Sequence, residues 1–228
     1  MTNSDFPRIL TLLRKERGFS QKKAAADLGI SQALLSHYEK GIRECGLDFL
    51  VRAANYYQVS CDYLLGRTPH RNGAAVSVGQ VPVPSQEPQE LENDPSTEYQ
   101  FRVLVNSLHI VFGILKKINS EGVTRHVSAY LSDGLYKMFR MLYSSRGKNP
   151  QEMFSLDRQL CVPQAGTHMV MEEAQAQYLL DGNSSKDAAG VNLETLPPLS
   201  PDILLSEYPQ YAPSLFELVQ NTERSISR

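Results

Sequence analysis

Apolar residues recur at three- and four-residue spacing over most of the chain, the spacing that gives a helix one buried face. Three early apolar runs follow a serine, at Ser20, Ser31 and Ser60, whose hydroxyl can accept a backbone N–H of the first turn. Residues 1–68 are therefore predicted to form a compact domain of five short helices. The positions expected to be buried in its first and fourth helices are Phe6, Ile9, Leu10, Leu13, Leu47, Leu50, Val51, Ala54 and Tyr57.

The second and third predicted helices follow each other closely and are joined by a tight turn. Ala25 falls where the two helices would touch, and Gly29 occupies the turn, where a left-handed backbone costs glycine little. Leu35 and Tyr38 lie three apart and would face the second helix. The opposite, solvent-facing side of the third helix would carry Gln32, Ala33, Ser36 and His37.

This arrangement resembles the lambda-repressor-like, or Cro/C1-type, helix-turn-helix family over residues 6–67. The resemblance implies a five-helix fold that binds double-stranded DNA, with the third helix in the major groove. The motif is carried by Ser20-Gln21, Ala25, Leu28-Gly29-Ile30-Ser31, Tyr38-Glu39-Lys40-Gly41 and the run from Val59 to Gly66.

The resemblance also implies a role for individual residues. Arg14 and Glu39 match a structural ion pair between the first and third helices. The base-contacting positions are Gln32, Ala33, Ser36 and His37. The phosphate-contacting positions are Gln21, Ser31, Lys40 and Arg43.

The charge distribution supports the same division of roles. Residues 1–72 hold 11 Lys and Arg against 7 Asp and Glu, whereas residues 73–228 hold 12 against 18. A positive excess in the first part favours contact with phosphates. Because this excess is moderate, a single copy should bind DNA weakly and a second copy should help.

The chain after the first domain changes character twice. Residues 69–97 carry repeated prolines without an apolar stripe and are predicted to be a flexible linker. Residues 98–228 are predicted to form a helical dimerisation or regulatory domain, so that the whole chain is all-α with two domains. It would begin with a helix at about 101–118 and another at about 123–142, both rich in apolar residues.

The first of these apolar stripes is too wide for one partner helix to cover. Either a homodimer forms through this region, or later segments of the same chain cover the stripe. Helices are predicted at 168–180, after Ser200-Pro201 and from Ala212-Pro213. These could complete the core, form a pocket for a small-molecule effector or bind a protein effector, and the sequence leaves the three open.

The sequence shows no set of residues typical of a metal or cofactor site, so neither a metal nor a cofactor is expected. Three scattered cysteines indicate reduced thiols, and the five histidines form no zinc motif. Some related repressors cleave themselves at an Ala-Gly bond, and this chain has Ala-Gly at 165–166 and 189–190. Such cleavage needs a serine and a later lysine that activates it, and Ser200 is the candidate serine. No lysine follows Lys186, so the chain is not expected to be such an enzyme.

The sequence thus predicts a cytoplasmic regulator of the bacterial or phage type, with no signal peptide and no membrane span. The predicted function is sequence-specific transcription regulation, as a repressor that binds a two-fold symmetric operator as a dimer. The alternative is an interaction module, such as an antitoxin-like regulator that holds a protein partner through residues 97–228, with DNA binding secondary.

Overall fold

The computed structural model describes residues 5–73 and 94–227, and the regular elements in these ranges are all helical. This confirms the predicted all-α fold. Most of the predicted linker, residues 74–93, lies outside the described residues. The α-helices are α1 (Asp5–Glu16), α2 (Gln21–Asp27), α3 (Gln32–Glu39), α4 (Leu47–Tyr57), α5 (Cys61–Leu64), α6 (Pro95–Ile118), α7 (Glu121–Ser145), α8 (Arg158–Leu180), α9 (Pro201–Glu207) and α10 (Ala212–Ile226).

The described residues divide into two compact units. Among the described residues, the first unit comprises 5–73 and 139–161, and the second comprises 94–138 and 162–227. The sequence-based boundaries, 1–68 and 98–228, concern which parts fold independently, and they stay a prediction.

The first unit is built on one apolar core to which all five N-terminal helices contribute. Leu10, Leu35 and Leu64 are fully buried, and Tyr38 packs on Phe49 with ring centroids 4.7 Å apart. The core also holds Ala24, which is fully buried. This single core fixes the mutual orientation of α1, α2 and α3.

One part of the predicted burial pattern was wrong. Leu47 and Val51 were expected inside, but they are 79% and 49% exposed. The buried stripe of α4 is centred on Leu50, Ala53 and Tyr57, and at 100° per residue Leu47 and Val51 fall about a quarter to a third of a turn away from it.

A segment distant in sequence completes the first unit by packing on α1. The guanidinium of Arg8 donates to the carbonyl oxygen of Glu152 at 2.9 Å, and Lys15 Nζ lies 2.5 Å from Glu152 Oε1. Phe154 is buried beside Arg140, whose guanidinium carbon lies 4.4 Å from the ring centroid. Residues 139–161 thus contact α1 through Glu152 and its neighbours.

The second unit contains smaller buried clusters. Leu115, Val123, Leu179 and Val191 form one, and Ile110, Leu204 and Ala212 form another in which α10 packs along α6. Later segments of the same chain therefore cover part of the α6 stripe, which was one of the two alternatives that the sequence left open. Apolar residues of α6 that stay exposed are Leu104, Val105 and Phe112.

Helix α8 is longer than predicted. It begins at Arg158 rather than near residue 168 and includes Pro163, whose missing N–H removes one hydrogen bond near the start of the helix. The Ala-Gly pair at 165–166 lies within this helix. Over residues 5–73 and 94–227, no helix combines the length and apolar character needed to cross a membrane.

Candidate nucleic-acid interface

Local sequence signals position α2 and α3. The Ser20 hydroxyl accepts the backbone N–H of Lys23, and the Ser31 hydroxyl accepts that of Leu34, each at 3.2 Å. Each hydrogen bond satisfies one of the N–H groups that the first turn of a helix leaves unpaired. Both helices therefore begin where the serines predict.

The connection between the two helices is short because it is built on one left-handed residue. Gly29 has φ of +67°, a conformation that other residues rarely adopt. Its N–H donates to the carbonyl of Ala26 at 3.1 Å, and Ile30 N–H donates to that of Ala25 at 3.0 Å. Ala25 is 1% exposed, so the helices meet where only a methyl group fits.

The outward face of α3 is polar and free of packing. Leu35 and Tyr38 are buried, whereas Gln32, Ala33 and His37 are exposed and Ser36 is half-buried. An α-helix with its side chains is about 10 to 12 Å in diameter, which fits a major groove about 12 Å wide. The structure thus brings the four predicted base-contacting residues to one accessible surface.

Exposed cations lie near the start of α2 and just after α3. Lys40 and Arg43 are exposed just beyond the end of α3, and Lys22 is exposed near the start of α2. Among residues 5–73 and 94–227, none of these three forms an ion pair. They differ from Lys23, whose ammonium lies 3.2 Å from Asp27 Oδ2.

Asp27, the partner of Lys23, accepts hydrogen bonds from two side chains. The Tyr56 hydroxyl donates to Asp27 Oδ2 at 2.7 Å. This hydrogen bond and that of Lys23 lower the pKa of Asp27, and burial with the Asp27 bond raises the pKa of Tyr56 to about 12. Asp27 therefore stays ionised and neutralises Lys23.

Arg14 and Glu39 form a buried bidentate pair beneath α3. Arg14 Nε lies 2.6 Å from Glu39 Oε1 and Arg14 Nη2 lies 2.9 Å from Oε2. The hydrogen bonds that Arg14 donates to Glu39 raise the pKa of Arg14 above its usual range. Arg14 also donates to the carbonyl of Phe19 at 2.9 Å, so one side chain joins α1, the start of α2 and α3.

Gln21, a predicted phosphate contact, also takes part in this network. Its amide nitrogen donates to Glu39 Oε2 at 2.8 Å. An amide nitrogen carries two hydrogens, so one remains for another acceptor. Ser31 is exposed, but its hydroxyl caps α3.

This part of the chain also matches a known family of proteins. Residues 10–64 match the helix-turn-helix family. They form a helix-turn-helix domain of the Cro/C1 type. The matched range covers α2, the Gly29 turn and α3, and it extends from within α1 to the end of α5.

Two regulators of Bacillus subtilis (strain 168) resemble the helix-turn-helix domain. The HTH-type transcriptional regulator ImmR is 44% identical over 54 residues, which are 24% of this chain and 42% of ImmR. The HTH-type transcriptional regulator AnsR is 35% identical over 69 residues, 30% of this chain and 60% of AnsR. The chain thus spans about half the length of these relatives. No solved structure gives a significant match.

Sequence reasoning did not single out Lys22 as a contact of the helix-turn-helix domain. The signal was available, because Lys23 and Asp27 lie at the i,i+4 spacing of a helical ion pair. Of the two adjacent lysines, Lys22 was therefore the one left for an external anion.

Proposed function

We propose that this chain is a sequence-specific DNA-binding transcription regulator, which represses by occupying a two-fold symmetric operator as a dimer. The observation that carries the proposal is the exposed polar face of α3, flanked by cations that have no partner in the described residues. A side-chain amide such as that of Gln32 can pair with adenine through two hydrogen bonds. Unpaired lysines and arginines contact phosphates and release counterions.

The structure supports a division between base contacts and phosphate contacts. Gln32, Ala33 and His37 lie on the helix face, where they would meet base edges. Lys22, Lys40 and Arg43 lie at the ends of the two helices, where backbone contacts occur in related motifs. The first group should determine which sequence binds, and the second should determine how tightly any sequence binds.

Binding selection on a randomised operator library tests this division with the full chain. Gln32→Ala or His37→Ala should change the preferred bases and cost about 1 to 3 kcal/mol for a bidentate contact. Lys40→Ala or Arg43→Ala should weaken binding to all DNA sequences alike and make the affinity less dependent on salt concentration. If the Gln32 and His37 variants keep the parental preference at every position, the assigned face is wrong.

The two adjacent lysines provide a matched control. Lys22→Ala and Lys23→Ala each remove one positive charge from α2. Because Lys23 is already paired with Asp27, we expect only Lys22→Ala to reduce the salt slope, by about one unit. Equal effects would show that net charge, rather than a defined phosphate contact, governs binding.

The dimer is proposed because one helix of this length reads few base pairs. Two copies on one duplex bind far more tightly than one, since the second binding event becomes intramolecular. The exposed apolar residues of α6 offer a surface on which two copies can associate. Light scattering of the full chain at tens of micromolar tests this directly, and a protein that stays monomeric contradicts it. Repression itself is tested with a reporter placed behind the selected operator, which should be less active when the chain is expressed.

A further inference from the structure

A groove in the second unit lies between α6, α7 and α8 and is separate from the DNA-binding surface. Its volume is 350 Å³, within the range of about 300 to 1,000 Å³ that small-molecule sites occupy. Its walls are mainly aliphatic and include Leu108, Val111, Val127, Leu131 and Leu180. An apolar ligand could replace water there without leaving polar groups of the walls unpaired.

The acidic residues that line the groove are two adjacent glutamates of α8, and its other polar lining residues are His126, Tyr130 and Gln177. Glu172 contacts two histidines, because Oε2 lies 2.7 Å from His126 Nδ1 and Oε1 lies 3.3 Å from His168 Nε2. The next residue, Glu173, also lines the groove and has no ion pair in the described part of the chain. Of the described residues that line the groove, none is lysine or arginine. The apolar space is therefore bordered by uncompensated negative charge.

We propose that this groove binds a small organic cation, an aromatic or aliphatic body that carries one ammonium group. The body of the ligand fills the space between the aliphatic walls, and its ammonium group lies beside the carboxylate of Glu173. The ring of Tyr130, which lines the same groove, provides a second site of attraction for a cation.

The dimensions favour a small molecule over a docked helix. Lining residues extend from 126 to 131 on α7, about 7.5 Å of helix, and from 108 to 111 on α6, about 4.5 Å. Only α8 lines the groove for longer. An amphipathic helix that binds through residues i to i+7 needs about 10.5 Å of contact, more than α6 and α7 provide.

The test uses three probes that share a naphthalene ring: 1-naphthylmethylammonium, the neutral 1-naphthalenemethanol and the anionic 1-naphthoate. Each is titrated into the full chain at pH 7.5 while the methyl NMR signals of the groove leucines and valines are recorded. We expect saturable shifts of those methyl groups, with the cation binding most tightly and the anion most weakly. No shift with the cation at 10 millimolar, or equal affinity for the three probes, would overturn the proposal.

Charge variants separate the groove from general electrostatics. Glu173→Gln should weaken the cation about threefold to tenfold, the size of a partly exposed charge interaction, and leave the alcohol unchanged. Glu223→Gln removes the same charge from α10, outside the groove lining, and should change nothing. Equal effects of the two variants would mean that only net charge attracts the cation.

A second variant tests occupancy of the groove. Ala176→Leu adds three carbon atoms to a lining position and should weaken all three probes at least tenfold; unchanged binding would place the probes elsewhere. If this variant does not fold, Glu173→Gln still decides. Methyl shifts that depend on protein concentration without any probe would assign the groove to a second copy of the chain instead.

Discussion

The two units differ in how completely their helices bury their own apolar residues. The core of the first unit contains 16 buried residues contributed by the helix-turn-helix domain, whereas the two clusters of the second unit contain four and three. Leu104 and Phe112 of α6 stay 54% and 44% exposed. The first unit thus buries most of its apolar residues and leaves the face of α3 polar, whereas the second unit retains exposed apolar residues and a groove.

The largest expected effect concerns the core of the first unit. Leu35→Ala removes a fully buried side chain from α3 and should lower the free energy of unfolding by about 3 to 5 kcal/mol. Leu47→Ala, at a position 79% exposed, should cost less than about 0.5 kcal/mol. Urea denaturation measures both, and similar losses would contradict the buried face assigned to this domain.

The next effect concerns the ion pair that holds α3. Arg14→Leu leaves Glu39, which is 4% exposed, without its cation and should cost about 2 to 4 kcal/mol. The exposed pair of Arg67 and Asp62, at 3.1 Å, provides the control, since Arg67→Leu should cost less than about 1 kcal/mol. Equal losses in chemical denaturation would show that the burial of the Arg14 pair does not matter.

In the second unit, exposed apolar residues should matter for association rather than for folding. Leu104→Glu should weaken self-association about tenfold or more, equivalent to about 1.4 kcal/mol, and leave the unfolding of the monomer unchanged. Gln220→Glu adds the same charge at an exposed polar position of α10. Sedimentation over a range of concentrations compares them, and equal dissociation constants would exclude Leu104 from the interface.

The contact between residues 139–161 and α1 should contribute to stability in a pH-dependent way. Burial opposes ionisation of Glu152, but the hydrogen bond from Lys15, a backbone hydrogen bond and the charges of Lys15 and Arg14 together outweigh it, so the pKa of Glu152 lies below the usual 4.5. The ionised carboxylate therefore stabilises the fold above that pH, and the contribution is lost as the pH falls through the folded-state pKa. Glu152→Gln should cost about 0.5 to 1 kcal/mol at pH 7 and less at pH 3, because the carboxylate becomes protonated as the pH falls. A cost that is the same at both pH values would mean that the charge of Glu152 plays no part.

The smallest effect concerns two adjacent tyrosines. Within the described ranges, the buried hydroxyl of Tyr57 has no hydrogen-bond partner, so Tyr57→Phe should be neutral or stabilise by up to about 1 kcal/mol. The Tyr56 hydroxyl bonds to Asp27, so Tyr56→Phe should destabilise by about 0.5 to 1.5 kcal/mol. Thermal unfolding measures both changes. A larger loss of stability for Tyr57→Phe than for Tyr56→Phe would show that the Tyr57 hydroxyl contributes more to stability.

Features that depend on neighbouring residues could be predicted from the sequence. The caps at Ser20 and Ser31, the Gly29 turn and the polar face of α3 each depend on residues within one or two helical turns, where side-chain type limits the backbone directly. For the same reason the all-α fold and the start of α10 at Ala212 were predictable. The roles of Gln32, His37 and the surrounding cations remain predictions, because the partner that would define them is DNA.

Features that depend on distant residues were decided by the tertiary structure. Leu47 and Val51 are apolar, but which face of α4 is buried depends on how the other helices surround Leu50 and Ala53. The contact of Lys15 with Glu152 joins residues 137 positions apart, and no local pattern selects one glutamate over another. Local propensity thus determined where most helices lie, and packing between distant segments determined which of their faces remain available for binding.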